Sequence, residues 1–303
     1  MKKNKLFILG KEFINYNING YIIPKNDEFF GEYVDSSHER LKYLTGFSGS
    51  AGQALVLKNK AFLFVDGRYT LQAKKETKKD FKVVEIHKTK PLEILRKEKK
   101  KLIIGFDPKL YTQAILTNLF ASKNVKLIPI KTNLIDKIWS NKPRLKFNKF
   151  FILKTQYVGQ SYKQKINLVC NILKKINLKN LLITAPENVA WLLNIRGKDS
   201  SYSPIPNCNA IINYKKTVTL IVENNKISKN FKSQFGKNLK YLNPSNIVKY
   251  LNSLDSKESF LIDKITCSLF YKEKIAKKFK YVEKIDPIFF LKSKKNNVEI
   301  NNT

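Results

Sequence analysis

The sequence predicts an α/β protein of two tandem domains, and three observations carry that reading. Short apolar runs of strand character alternate with amphipathic, lysine-rich segments of helical character, the pattern of a sheet flanked by helices. The alternation occurs twice in similar order, on either side of a stretch that holds Trp139 and Pro143. A chain of 303 residues, 43% of them hydrophobic, is long enough for about two cores.

In the first half, "GYIIP" (20–24) is a short strand closed by Pro24, which has no N–H for a further ladder bond. "QALVL" (53–57) and "AFLFVD" (61–66) are two more, and the polar "KNK" between them makes an antiparallel hairpin. After Asp66 a "GRY" turn leads into "TLQAKKETKKD", a short helix with a lysine-rich outer face. "FKVVEI", "KLIIGFD" and "VKLIPI" supply further strands, with "YTQAILTNLFAS" a helix between the last two. The pattern ends near residue 135. "NLIDKIWSNKPRLK" (133–146) is read as a linker, with Trp139 as a plug between domains.

In the second half, "YKQKINLVCNILKKI" sets Tyr162, Ile166, Val169, Cys170, Leu173 and Ile176 at helical spacing, one buried stripe. "LLIT" is a strand. Thr184 and Glu187 in "TAPE" have the spacing of a capping box, with Pro186 in the first turn of helix "ENVAWLLNI", where Trp191 is a core anchor. "NAIINY" and "TVTLIVE" form a hairpin, followed by helix, strand ("FLID"), helix and strand ("KYVEKID").

In "YLTGFSGSAGQALVL" (43–57), Gly46, Gly49 and Gly52 recur every third residue. A phosphate-cradling loop needs GxxxxGK[ST], or GxGxxG between a strand and a helix, and neither spacing is present. The glycines precede an apolar strand, so close backbone approach is the better reading. With the neighbouring segments they make a family visible. "RLKYLTGFSGSAG" followed by "AFLFVDGRYTLQA" resembles the amino-terminal creatinase-like domain of the Xaa-Pro aminopeptidases, or aminopeptidase P. "GYIIPKNDEFFGEYV" is similar to the segment preceding that motif in the long, three-domain form. "NLIDKIWSNKP" resembles the interdomain segment, and "VGQSYKQKI" with "AWLLNIRGKDSSYSP" resembles the second domain's signature. The matches are collinear and cover roughly residues 20 to 300.

The resemblance implies two tandem creatinase-N-like domains, each a mixed β-sheet flanked by helices, at 1–138 and 139–290. It implies that 291–303, "LKSKKNNVEINNT", is the truncated start of a third, catalytic domain. In the complete family that "pita-bread" domain holds two divalent metals, manganese or zinc, on two Asp, one His and two Glu. A metal-bound hydroxide there releases the residue before a penultimate proline. An inventory of this chain supplies no such set: its two histidines, His38 and His87, both lie in the first half, and its 24 carboxylates form no spaced cluster. No metal ligands and no catalytic residues are assigned, and the chain is expected to be inactive alone. Ser48 and Ser50 lack a nearby histidine. Arginine is rare, so Arg40, Arg68 and Arg196 stand out: Arg68 beside Asp66, and Arg196 opening "RGKD" with Asp199 as a local ion pair. For Arg68 and Arg196 a structural salt bridge outranks ligand contact. By analogy with the long-form enzymes, the loops carrying Phe47 and Ser48, Arg68, and Arg196 with Asp199 are the candidate cleft or interface surfaces.

Net charge is +34, yet all but five of the 58 basic residues are lysines, spread along the chain with abundant Asn and Ile. That pattern suits codon bias, and nucleic acid is disfavoured because phosphate and base recognition favours arginine. Cys170, Cys208 and Cys267 match no disulfide framework. Cys170 is read as a small core residue, and nothing near Cys208 in sequence lowers its pKa. With no run near the roughly 18 apolar residues a membrane span needs, a cytoplasmic protein is expected. Expected partners are the catalytic domain, in cis or separately encoded, and a second copy as a homodimer. The expected role is cleft closure and subunit assembly in an Xaa-Pro aminopeptidase. The alternative is a non-catalytic binding module for an acidic partner, nucleic acid or acidic protein.

Overall fold

Residues 4–145 and 147–302 are described in a computed structural model. The basic start of the chain (1–3), the last residue of the expected linker (146) and residue 303 lie outside them. The chain divides into two compact units between residues 145 and 146.

The first unit runs α1 (Lys5–Asn15), β1 (Gly20–Pro24), α2 (Arg40–Thr45), β2 (Gly52–Leu57), β3 (Ala61–Val65), α3 (Thr70–Glu76), β4 (Lys82–Glu85), α4 (Pro91–Arg96), β5 (Leu102–Phe106), α5 (Gln113–Phe120), β6 (Val125–Pro129) and α6 (Leu134–Ile138). Its six-stranded sheet has the order β4-β3-β2-β1-β5-β6. β2 is antiparallel to β1 and β3, while β1, β5 and β6 pair in parallel, as do β3 and β4. The "KNK" hairpin is therefore present, with Ala54 opposite Leu63. β1 and β3 are buried at every residue, because each has a strand on both sides and cover on both faces. On one face Leu9 and Phe13 of α1 meet Leu41 and Leu44 of α2 and Leu134 and Ile135 of α6. Each such side chain contributes roughly 1.5–3 kcal/mol on burial.

Two sequence readings change here. α1 was not anticipated, though Asn4 caps it by accepting from Leu6 N–H and Leu9 and Phe13 supply an i, i+4 apolar pair. The expected linker begins inside the unit. Asn133 caps α6, Leu134 and Ile135 are fully buried, and Trp139 stacks on Tyr43 of the same unit at 4.5 Å. Trp139 thus packs on the first unit.

The second unit runs β7 (Phe151–Ile152), α7 (Thr155–Val158), α8 (Tyr162–Lys175), β8 (Asn180–Ile183), α9 (Pro186–Leu193), β9 (Ile195–Arg196), β10 (Asn209–Asn213), β11 (Val218–Ile221), α10 (Lys229–Phe235), β12 (Leu239–Leu242), α11 (Ile247–Ser253), β13 (Ser259–Asp263), α12 (Leu269–Ala276), β14 (Lys280–Lys284), α13 (Pro287–Ser293) and α14 (Asn297–Asn301). Its main sheet, β12-β11-β10-β8-β13-β14, repeats the first unit's topology, with β10 antiparallel to β8 and β11 and the outer pairs parallel. The short β7 and β9 pair separately. Ile166, Val169, Cys170 and Leu173 form the buried stripe of α8, while Ile176 is the helix's exposed C-cap.

β12, "LKYL", escaped the sequence reading because Lys240 interrupts a strand only four residues long. The capping box at Thr184 does not form. Ala185 occupies the N-cap of α9 with no side-chain bond, and the Thr184 hydroxyl pairs with that of Thr266 at 2.8 Å. A tertiary hydroxyl partner outcompetes the local cap, and with Thr184 as N-cap Pro186 would stand at N2, where it has no N–H for the cap to accept. The tail folds as part of this unit. Asp286 caps α13 through Ile288 N–H, Ile288 is fully buried, and Asn296 in front of α14 donates to the Val158 carbonyl of α7 at 2.9 Å.

Candidate functional site

In the first sheet every strand except β2 points the same way, so one edge collects the carboxyl ends of β1, β3, β4, β5 and β6 with the start of β2. In open α/β sheets that edge is where loops build sites. The glycine-spaced segment crosses it. α2 ends at Gly46, whose φ of +90° is left-handed, and a Cβ there would sit 2.7 Å from the Glu76 carbonyl oxygen. A Cβ at Gly49 would enter the Phe47 ring. The spacing therefore lets a backbone wrap one aromatic ring, and the phosphate reading finds no support in it.

Phe47, offered as a surface residue, is fully buried, edge-on to Tyr69 at 5.8 Å. It is apolar and flanked by glycines, so it plugs the loop instead of presenting it. Ser48 is exposed. Its N–H donates to Glu76 at 2.8 Å, its hydroxyl donates to the same carboxylate at 2.9 Å, and Gln72 donates to the hydroxyl at 3.0 Å. Burial raises the Glu76 carboxyl and these bonds more than offset it, so its pKa ends lowered. The Ser50 and Tyr69 hydroxyls hydrogen-bond at 2.8 Å. Arg68, 75% exposed, donates from Nε to Asp66 at 2.8 Å, and His87 lies 3.3 Å from the other carboxylate oxygen. The Arg68 side-chain bond, then its backbone N–H, hold Asp66 well below the usual carboxylate range. The structure thus gathers Phe47, Ser50 and Arg68 around Tyr69, and holds Ser48 on Glu76 and Gln72 instead. It gives Ser48 no imidazole, since His87 is engaged by Asp66 and His38 sits 3.6 Å from Glu28.

Beneath that edge lies a charged network which the sequence flagged only through the rarity of arginine. Arg40 is 3% exposed. Its Nε and Nη2 donate to Asp136 at 2.9 Å each, and Nη2 also donates to Glu28 at 2.7 Å. Lys142 reaches Asp136 at 2.9 Å. Burial raises the Glu28 and Asp136 carboxyls, but Arg40 overrides it and both end lowered. The network fastens the loop after β1 to α2 and α6. Glu28 and Asp136 carried no signal, because they lie 12 and 96 residues from Arg40 in sequence.

In the second unit the expected Arg196–Asp199 pair is absent. Arg196 Nη1 donates to the Ile195 carbonyl at 2.9 Å and the Ala190 carbonyl at 3.3 Å, caps for the end of α9. Asp199 turns inward to Lys226 at 2.8 Å and accepts from Asn207 N–H at 2.7 Å, which pins the proline-bearing loop. Lys226 prevails because both side chains are almost buried there, at 5% and 3% exposure, and a buried carboxylate requires a direct cation. Lys165 was not foreseen. Its Nζ donates to Asn194 at 2.7 Å and to the Trp191 carbonyl at 3.1 Å, 4.3 Å from the Trp191 ring, and burial pushes it down to about 8. Cys208 is buried, and burial pushes its thiol up.

Among the described residues no group of three or more His, Cys, Asp or Glu is placed to hold a metal ion, so no step through a metal is derived for them. No helix among them is long and apolar enough to cross a membrane.

Fold and site together define a tandem α/β scaffold whose loops are tied down by ion pairs and buried rings. Residues 11–138 and 141–299 each match a model described as the Creatinase/Prolidase N-terminal domain. The chain belongs to the creatinase/prolidase N-terminal domain family. A probable Xaa-Pro aminopeptidase P of Coprinopsis cinerea is 31% identical over 264 residues, covering 82% of this chain and 41% of the relative. Xaa-Pro aminopeptidase 1 of Dictyostelium discoideum is 29% identical over 304 residues, covering 94% and 47%. The crystal structure of X-prolyl aminopeptidase from Caenorhabditis elegans, described as a cytosolic enzyme with a di-nuclear active site, superposes with a TM-score of 0.84 over 94% of this chain and 48% of that one, at 23% identity. This chain spans less than half the length of these proteins.

Proposed function

We propose that this chain is the two-domain amino-terminal portion of an Xaa-Pro aminopeptidase. In this reading it shapes the substrate cleft and supports subunit assembly, while the two divalent metals and the hydrolytic residues belong to a catalytic domain supplied beyond it or separately. The observation that carries the reading is the pair of family matches in series, in a chain that aligns with part of each relative. The engagement of Ser48 by Glu76 and Gln72, and of Arg40, Arg68, Asp66 and Asp199 in ion pairs within each unit, supports it. A cytoplasmic setting is part of the proposal, supported by three buried cysteines with no disulfide. The purified chain, given Mn²⁺ and an Xaa-Pro-Xaa peptide, is expected to release no amino-terminal residue above the blank. Metal-dependent release would overturn the proposal.

A further inference from the structure

At the end of the first sheet opposite Tyr69, two clefts flank the turn of the β2–β3 hairpin. One, of about 710 Å³, has Phe62, Val84 and Ile94 in its lining and Lys79, Lys82 and Lys97 beside them. The other, of about 480 Å³, lies between α1 and the hairpin. Both include Lys60, Ala61 and Asp80, so they form one continuous surface. On α1, Phe7, Gly10 and Ile14 share one face. Phe7 and Ile14 are 60% and 82% exposed, and the Gly10 position has no atom within 4 Å of where a Cβ would stand, leaving an open notch between them.

The charge on this surface is unbalanced. Its carboxylates are already engaged: Glu98 pairs with Lys60 at 2.9 Å, and Asp80 accepts from Asn4 at 3.2 Å. Among the described residues Lys58, Lys79, Lys82 and Lys97 enter no ion pair. A solvated lysine face is the ordinary outcome of a lysine-rich composition. Here the ammonium groups border concave apolar floor and two large exposed apolar side chains, which solvation alone does not call for.

We infer that this surface docks an acidic polypeptide segment carrying apolar anchors. The apolar side chains would enter the notch at Gly10 and the floor at Phe62 and Ile94, and the carboxylates would meet the lysines. Lysine is a point charge suited to single carboxylates. Neither cleft includes an arginine, the residue suited to bidentate phosphate or base contacts. The inference stands apart from the peptidase proposal, because it uses only groups of the first unit far from its loop site.

The test is fluorescence anisotropy on the full chain with a labelled peptide of alternating Asp-Leu and Glu-Phe units. Comparisons use poly-glutamate of equal charge and single-stranded DNA of equal charge. Saturable peptide binding is expected. It should weaken roughly tenfold or more in Lys82→Glu/Lys97→Glu, and comparably in Phe7→Ser/Ile14→Ser, all exposed positions. Lys240→Glu/Lys277→Glu, the same charge change in the second unit, should leave it unaltered. Three results would overturn the inference: equal binding of poly-glutamate, tighter binding of DNA, or equal loss in the first- and second-unit charge variants.

Discussion

Replacing Asp286 with Asn tests how the tail is held. Asp286 is 1% exposed; its carboxylate accepts from Ile288 N–H at 2.8 Å and Asn188 Nδ2 at 2.8 Å. Its own N–H donates to Asp263 at 2.7 Å. Burial is the main cause that pushes its pKa up to about 6, and the neighbouring Asp263 adds to it. The folded state therefore favours the neutral acid. The stabilisation is fully present below the unfolded value of 3.8 and is lost as pH rises through about 6. The gap between those values is worth about 3 kcal/mol at neutral pH. Asparagine stays neutral throughout and is a good N-cap, and once the Asn188 amide turns over, its Nδ2 donates to Asn188 Oδ1, a buried atom without a partner in the wild-type chain. Urea unfolding followed by Trp191 fluorescence, with Trp139→Phe in both proteins, isolates the second unit. At about pH 8 the Asp286→Asn protein is predicted to be more stable by about 1–3 kcal/mol, and near pH 4 that advantage should vanish. An equal loss of stability at both pH values would refute the reasoning.

Other predictions concern the first unit and the thiols. Arg40→Met takes the buried guanidinium from Glu28 and from Asp136, which keeps Lys142, and should cost about 1.5–3 kcal/mol in unfolding followed by Trp139 fluorescence, a loss Arg40→Lys will not fully restore. Gly46→Ala combines a left-handed φ with a close approach to the Glu76 carbonyl and should cost more than about 1 kcal/mol, whereas Gly10→Ala, in open space within α1, should be neutral or stabilising. An aromatic disulfide reagent should titrate none of the three thiols in the native protein and all three in denaturant, because each is buried. Rapid native reaction at Cys208 would contradict its burial.

What the sequence disclosed was local or periodic. The hairpin at residues 53–66 and the stripe of α8 follow from spacing a few residues apart, and the structure contains both. The motifs around Gly46–Gly52 and "RGKD" disclosed the family, yet they did not say which side chains face out. Phe47 lies inside its loop and Asp199 answers to Lys226, a residue 27 positions away. Thr184 failed as a cap for the same reason: its hydroxyl met Thr266, 82 residues on. Rarity singled out Arg40, but its carboxylates became visible only once α6 was folded beside α2.

In the proposed function this chain is scaffold, and hydrolysis belongs to a domain it partners. The most direct measurement replaces the corresponding amino-terminal half of the Dictyostelium relative with residues 1–303 and assays Mn²⁺-dependent release from an Xaa-Pro-Xaa peptide. Activity in the chimera with none in this chain alone is the predicted result. A folded but inactive chimera, or turnover by this chain unaided, would contradict it.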